Sequence, residues 1–133
     1  MKIDFANLQL QYQTYKKEID DNIQAVLNKS NYILGEEVQV LEQELQNFTG
    51  AKYAVTCSSG TDALLLALMA IDIQPGDEVI TTPLTCMATN EPFYNDGAKL
   101  VWADIDPTTG NIDPNSVEKL ITDKTKAILG VHW

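Results

Sequence analysis

The chain has 133 residues, enough for one domain of ordinary size and too few for two well-formed ones. Hydrophobic residues make up 44% of the sequence, which favours a packed core over disorder. Nine Lys and Arg against nineteen Asp and Glu give a net charge of −10, which argues against a nucleic-acid backbone or an anionic membrane surface as the partner. A phosphorylated small molecule is compatible with this charge, because backbone N–H groups bind phosphate without Lys or Arg.

The sequence carries no sign of export or of a membrane span. Its two cysteines, Cys57 and Cys86, are too few for a disulfide framework. The N-terminus has no apolar signal core, and the longest apolar run, at 63–71, is far shorter than a membrane-spanning helix. We therefore expect a reducing, cytoplasmic setting.

Apolar residues at helical spacing predict two amphipathic helices in the first 50 residues, the expected amino-terminal helical segment. The apolar positions are Tyr15, Ile19, Ile23, Val26 and Leu27 in the first helix, and Val38, Leu41, Leu45 and Phe48 in the second. Gly35 separates the helices, and Gly50 is placed to end the second. Because neither helix would be stable alone in water, both are expected to pack on another surface.

Short apolar strands alternate with helices over residues 51–133, the expected second domain. We predict strands at 53–57, 78–82, 99–103 and 126–131, and helices at 62–71, at 87–95 and from Pro114 onward. The helix at 62–71 is apolar nearly all round and is expected to be buried on most sides. The alternation is typical of an α/β fold with a mostly parallel sheet and right-handed crossovers.

In such a sheet, ligands collect beyond the carboxyl ends of the strands. The loops that begin at Ser58, Pro83 and Asp104, together with His132 and Trp133, are expected at this edge. The sequence stops directly after an apolar strand, and a parallel strand needs cover on both faces. We therefore expect the amino-terminal portion of a longer protein; the alternative is a small domain whose last strand lies at an edge.

The turn at 57–62 carries the sharpest signal of a binding site. Gly60 permits a close approach of the backbone, and Ser59 or Thr61 can cap the following helix. Free N–H groups at that helix start, with the hydroxyls of Ser59 and Thr61, would hold a phosphate. Asp62 favours the helix start but would repel the phosphate unless its side chain points away. The alternative is a turn and helix cap without a ligand.

A second cluster of small and hydroxyl-bearing residues follows the strand at 78–82. A planar cofactor could lie against Cys86, with hydrogen bonds from Thr85 and Asn90. The alternative is a helix start in which Thr85 acts as the cap.

Asp104 and Asp106 form a carboxylate pair that could bind metal or transfer protons, but Pro107 and Gly110 follow at once and favour a loop-capping role. His132 is the single histidine. No metal site is therefore expected.

Seven segments, in order along the chain, resemble the DegT/DnrJ/EryC1/StrS family of sugar aminotransferases, which have the aspartate-aminotransferase fold and use pyridoxal 5′-phosphate (PLP). The segments are YILG at 32–35, FTGA at 48–51, SSGTDALLLAL at 58–68, PGDEVI at 75–80, ADIDP at 103–107, NIDP at 111–114, and TKAI at 125–128 followed by VH at 131–132. The resemblance implies that residues 51–133 are part of the PLP-binding large domain.

By this resemblance, the PLP phosphate would be held by the backbone of Gly60, Thr61 and Asp62 and by the Thr61 hydroxyl, with Ser59 in the same turn. Cys86 falls where the family commonly places an aromatic ring against the pyridine, a departure that weakens the stacking there. The Schiff-base lysine and the carboxylate that pairs with the pyridine nitrogen belong to later segments. No residue of this chain is therefore assigned a catalytic role.

The implied reaction is the transfer of an amino group, expected from glutamate, to a keto carbon of a nucleotide-linked sugar in polysaccharide biosynthesis. A full-length cytoplasmic homodimer would perform it, and the 133-residue chain alone is expected to be inactive. The alternatives are a PLP-dependent sugar dehydratase of the same family, a non-catalytic truncated or dimerising module, and a phosphate-binding α/β domain unrelated to PLP.

Overall fold

The computed structural model describes residues 5–95 and 97–133. The chain divides into two compact units, one that ends at Thr56 and one that begins at Cys57. The predicted boundary after residue 50 lies within the first unit. Over the described residues, no helix has the length and apolar character that crossing a bilayer requires.

The first unit contains both predicted helices, α1 at Leu8–Lys29 and α2 at Glu36–Thr49. The Asn7 side chain accepts a hydrogen bond from the Leu10 N–H and caps α1. Gly50 ends α2 as predicted, with a left-handed φ of +74°. Neither helix has a buried residue over its described length, so their apolar faces lie exposed within this unit.

The second unit is a three-stranded parallel sheet with helices. Its elements are α3 at Gly60–Ala70, β1 at Glu78–Thr81, α4 at Met87–Asn95, β2 at Lys99–Trp102, α5 at Pro114–Leu120 and β3 at Thr125–Ile128. The strand order is β2-β1-β3, and Val79 lies opposite Leu100 and Ala127. The α/β fold class is confirmed, as are three of the four predicted strands.

The predicted strand at 53–57 is wrong, because these residues form no ladder with any strand of the described chain. A strand is stabilised by hydrogen bonds to a neighbouring strand, and apolar sequence alone does not supply that neighbour. The Thr56 N–H bonds instead to the Glu42 side chain on α2. The described sheet has β1 at its centre.

The core lies on both faces of β1, whose residues are all buried. Successive side chains of a strand point to opposite faces, so Val79 and Ile80 belong to different clusters. The first cluster contains Leu68, Ile73, Val79, Phe93 and Ala98, and the second contains Ile80, Ala103 and Val117. Helices α3 and α4 thus cover one face of the sheet, and α5 covers the other.

The expectation that the helix at 62–71 is buried on most sides is wrong for the second unit. Leu68 is its one buried residue, and it packs with Val79 and Phe93. Met69 is 67% exposed, and Leu66 is 43% exposed. The reason is geometric: α3 meets α4 and the sheet along a single stripe, and nothing else in the described part of this unit covers the remainder.

Candidate functional site

The carboxyl ends of the parallel strands meet at one edge of the sheet. Pro83, which follows β1, and Trp102 at the end of β2 line two concavities there, of about 510 and 520 Å3. Asp104 lines the smaller one, which confirms that the loops after β1 and β2 share this edge. Trp133 lies against the loop after β2, where its backbone N–H donates to Asn111 Oδ1 at 2.9 Å.

The turn before α3 forms a reciprocal helix cap. The Ser59 hydroxyl accepts from the Asp62 N–H at 3.1 Å and donates to Asp62 Oδ2 at 2.9 Å. The Ser58 hydroxyl donates to the same carboxylate oxygen. Serine at the cap and an acid three residues later are a sequence signature of helix starts, so this geometry follows from local sequence.

Two backbone donors stay open at this helix start. No hydrogen bond among the described residues uses the N–H of Gly60 or of Thr61. A Cβ on Gly60 would meet no heavy atom within 4 Å other than those of its chain neighbours and its own helix backbone, so the space beside the Gly60 Cα is open. Unpaired N–H groups at the positive end of a helix can bind an anion, which makes this turn a candidate site for one.

The Asp62 carboxylate is turned back onto the two serines. The hydrogen bonds from Ser58 and then from Ser59 lower the pKa of Asp62, so this side chain is negatively charged at neutral pH. The single proton of the Ser59 hydroxyl is already donated to Asp62, which removes it as a donor to a ligand in this conformation. The open donors of the turn therefore include the Gly60 and Thr61 amides and the exposed Thr61 hydroxyl.

Cys86 lies directly before α4 and is exposed. Its Sγ lies 3.3 Å from the Thr89 hydroxyl, and its carbonyl accepts from the Thr89 N–H at 3.1 Å. The Thr89 hydroxyl, followed by its backbone N–H, lowers the pKa of the Cys86 thiol. The thiol lines the concavity of about 520 Å3 together with Trp102.

The polar residues around Cys86 have structural partners. The Thr85 hydroxyl donates to the Thr89 hydroxyl at 2.9 Å. No backbone N–H among the described residues donates to the Thr85 hydroxyl, so Thr85 is not the helix cap that the alternative for this segment supposes. The Asn90 side chain accepts from the Thr81 hydroxyl at 3.2 Å and thereby joins α4 to the end of β1.

The carboxylate pair after β2 serves the loop. Asp106 Oδ1 accepts from the Thr108 N–H at 2.7 Å, and the Asp106 carbonyl accepts from Gly110 at 2.8 Å. Asp104 Oδ1 accepts from the adjacent N–H of Ile105. This confirms the loop-capping interpretation, and the described residues contain no group of three or more His, Cys, Asp or Glu placed to hold a metal ion.

A parallel sheet covered on both faces, with open amides at the start of a helix, is characteristic of α/β domains that bind phosphorylated ligands. Sequence comparison narrows this class: the model of the DegT/DnrJ/EryC1/StrS aminotransferase family matches residues 13–133. The chain belongs to this family.

Individual relatives agree with this assignment. A UDP-2-acetamido-2-deoxy-3-oxo-D-glucuronate aminotransferase of Pseudomonas aeruginosa is 50% identical over 129 residues, which are 97% of this chain and 36% of that protein. The structure of S. venezuelae DesV in complex with a ketimine intermediate matches with a TM-score of 0.92 at 37% identity, over 98% of this chain and 35% of DesV.

A GDP-4-keto-6-deoxymannose-3-dehydratase with a trapped PLP-glutamate geminal diamine matches with a TM-score of 0.76 at 37% identity, over 81% of this chain and 30% of that one. The chain thus spans about a third of the length of the relatives it matches, as the 36% share of the first shows. The predicted fold, part of the large domain of the PLP-dependent transferase fold, is confirmed by these structural matches.

Proposed function

We propose that the complete gene product in which this sequence occurs transfers an amino group to a keto carbon of a nucleotide-linked sugar, with PLP as its cofactor. A relative named as an aminotransferase of a UDP-linked keto sugar, 50% identical over 129 residues, supports the substrate class. A solved dehydratase that holds PLP joined to glutamate supports PLP as cofactor and glutamate as amino donor. Cytoplasmic location and a homodimer are parts of the same proposal.

The observation that carries this proposal is the open turn before α3. The N–H groups of Gly60 and Thr61 would donate to the phosphate of PLP, and the exposed Thr61 hydroxyl would add a third donor. The Asp62 N–H, which donates to Ser59 in this structure, would join them through a shared hydrogen bond. Bound PLP supplies an electron sink, and the protein supplies placement and charge.

Cys86 would lie against the pyridine ring of the cofactor. A thiol is small and polarisable, so it offers contact without the area of an aromatic side chain. The resulting contribution to PLP affinity is smaller than an aromatic residue would make there. The turn at 57–62, the phosphate turn, would therefore account for a larger share of cofactor binding than it does in relatives with an aromatic ring.

The test uses the purified complete gene product. We expect it to bind PLP much more tightly than pyridoxal, which lacks the phosphate, because the charged group meets the open amides. We also expect it to form an amino sugar from a UDP-linked keto sugar and glutamate, measured by mass spectrometry of the sugar product. Equal affinity for PLP and pyridoxal would contradict the proposed role of the turn.

A sugar dehydratase is the second candidate, and the match to the GDP-4-keto-6-deoxymannose-3-dehydratase at a TM-score of 0.76 favours it. Both activities would use the same phosphate turn, so PLP binding does not separate them. The product does: a dehydratase leaves a sugar that has lost a hydroxyl group and gained no nitrogen.

A further inference from the structure

The segment at 53–57 leads into the phosphate turn and is held by a side chain from α2. Glu42 Oε1 accepts from the Thr56 N–H at 2.8 Å and from the Thr56 hydroxyl at 2.9 Å. Both residues belong to the first unit and lie 14 positions apart in the sequence. Since the segment has no ladder partner in the described chain, this carboxylate supplies the long-range hydrogen bonds of Thr56.

The chemistry of the contact makes it a firm restraint. Hydrogen bonds to a carboxylate are shorter and stronger than bonds between neutral groups. The Thr56 N–H, followed by its hydroxyl, lowers the pKa of Glu42, so the charged form prevails at neutral pH. Both residues are half-buried, and loss of the carboxylate would leave the Thr56 N–H without its partner.

The residues between Thr56 and α3 are restrained one after another. The Cys57 thiol donates to the Ser59 carbonyl at 3.3 Å. The Ser58 and Ser59 hydroxyls donate to Asp62. After these contacts, the first two residues of α3, Gly60 and Thr61, have N–H groups that no hydrogen bond among the described residues uses.

We propose that Glu42 is a positioning residue for the phosphate-binding turn: by holding Thr56 it orients the backbone that presents the Gly60 and Thr61 amides to the phosphate of PLP. This inference rests on the proposed function. Glu42 would affect the binding of one part of the ligand, the phosphate monoester, without contacting it. Its effect should therefore depend on whether the ligand carries a phosphate.

The test compares Glu42→Ala with Glu44→Ala in the complete gene product. Glu44 is on the same helix, is exposed, and makes no hydrogen bond within the described part of the chain, so it is a matched control. We expect Glu42→Ala to raise the Kd of PLP about 3- to 10-fold, the effect of losing the geometry of one or two hydrogen bonds. The Kd of pyridoxal should stay within about twofold of wild type, as should both constants for Glu44→Ala.

Conservative variants separate positioning from general support of the fold. Glu42→Gln keeps an acceptor oxygen and should restore most of the PLP affinity. Thr56→Ser keeps the hydroxyl and should bind PLP like wild type, whereas Thr56→Val loses one of the two bonds and should bind it more weakly. The Thr56 pair decides the question if Glu42→Ala does not fold.

The outcomes distinguish a failure of this inference from a failure of the proposed function on which it rests. Wild-type protein that binds PLP no better than pyridoxal overturns both. If wild type binds PLP more tightly than pyridoxal, and the ratio of the two Kd values is unchanged in Glu42→Ala and Thr56→Val, the role of Glu42 alone is overturned. An equal loss of affinity for PLP and for pyridoxal in these variants also overturns the role of Glu42, because it indicates a structural role.

Discussion

Gly60 and Thr61 begin α3 with amide hydrogens that no described residue accepts, while the next amide, that of Asp62, donates to the Ser59 hydroxyl. The difference between the open amides and the bonded serine hydroxyls of this turn has a chemical cause. Asp62 accepts hydrogen bonds from the hydroxyls of Ser58 and Ser59, and the Gly60 and Thr61 amides stay open. The negative charge of Asp62 would be unfavourable beside the proposed phosphate, and hydrogen bonds from two neutral hydroxyls hold this carboxylate on the turn.

Thr61→Ala removes the one side-chain donor of the turn that has no partner within the described residues. We expect PLP retention to weaken by about 0.5–1.5 kcal/mol, the contribution of one neutral hydrogen bond. Equilibrium titration of the complete gene product with PLP measures it, and Thr61→Ser is the control because it keeps the hydroxyl. Unchanged PLP affinity in Thr61→Ala would count against the assignment.

Glu78 predicts a pH dependence of stability. It is 7% exposed, and hydrogen bonds from Lys99 at 2.8 Å and from Thr122 at 2.7 Å lower its pKa. A carboxyl with a depressed folded-state pKa stabilises the fold above its unfolded value, near 4.3, and this stabilisation is lost as the pH falls through the folded value.

Glu78→Gln should therefore lower the free energy of unfolding at neutral pH and flatten its decline below about pH 4.5. Urea denaturation of the 133-residue chain between pH 3 and 7 measures the curve. Glu118→Gln, an exposed change on α5, is the control and should keep the wild-type slope. If the free energy of unfolding of Glu78→Gln falls as steeply below about pH 4.5 as that of wild type, Glu78 is not the cause of the pH dependence.

Helix α3 is the element whose character depends most on its surroundings. Its sequence is apolar nearly all round, and yet a single stripe through Leu68 is buried in the second unit. The helix forms because Ser59 and Asp62 cap it and its interior residues are strong helix formers. How much of it is buried depends on what packs around it.

Leu68→Ala and Met69→Ala should differ sharply in the 133-residue chain. Leu68 is 1% exposed, and its truncation should cost about 2–5 kcal/mol through lost burial and a cavity. Met69 is 67% exposed, and its truncation should change stability by less than about 0.5 kcal/mol. Urea denaturation compares the two, and equal costs would contradict the described packing.

The whole chain presents apolar surface that its own described residues do not cover. Large apolar side chains are exposed on α1, α2 and α3. The chain spans 36% of its relative from Pseudomonas aeruginosa. The family's lysine and pyridine-nitrogen carboxylate are assigned by resemblance to segments outside these 133 residues.

We therefore expect the purified 133-residue chain to show no amino transfer with PLP, glutamate and a UDP-linked keto sugar. The complete gene product is the comparison, assayed by the same mass spectrometry. Turnover by the 133-residue chain would overturn the placement of the essential lysine outside it.

Local chemistry accounts for the parts of the structure that could be predicted. The helix at Met87–Asn95, the strand that begins at Glu78 and the helix stop at Gly50 depend on periodicity and turn residues within a few positions, and all are confirmed. The cap at Ser59 and the loop role of Asp106 are equally local, because each bond spans two or three residues.

The sequence by itself determined the α/β class, the parallel sheet and the capped turn before α3, since these follow from patterns within short windows of the chain. Only the tertiary structure decided that residues 53–57 have no ladder partner, that α3 buries a single stripe, and that Glu42 holds Thr56. The physical reason is that a ladder, a buried face and a hydrogen bond between residues 14 positions apart each require a partner brought near by folding.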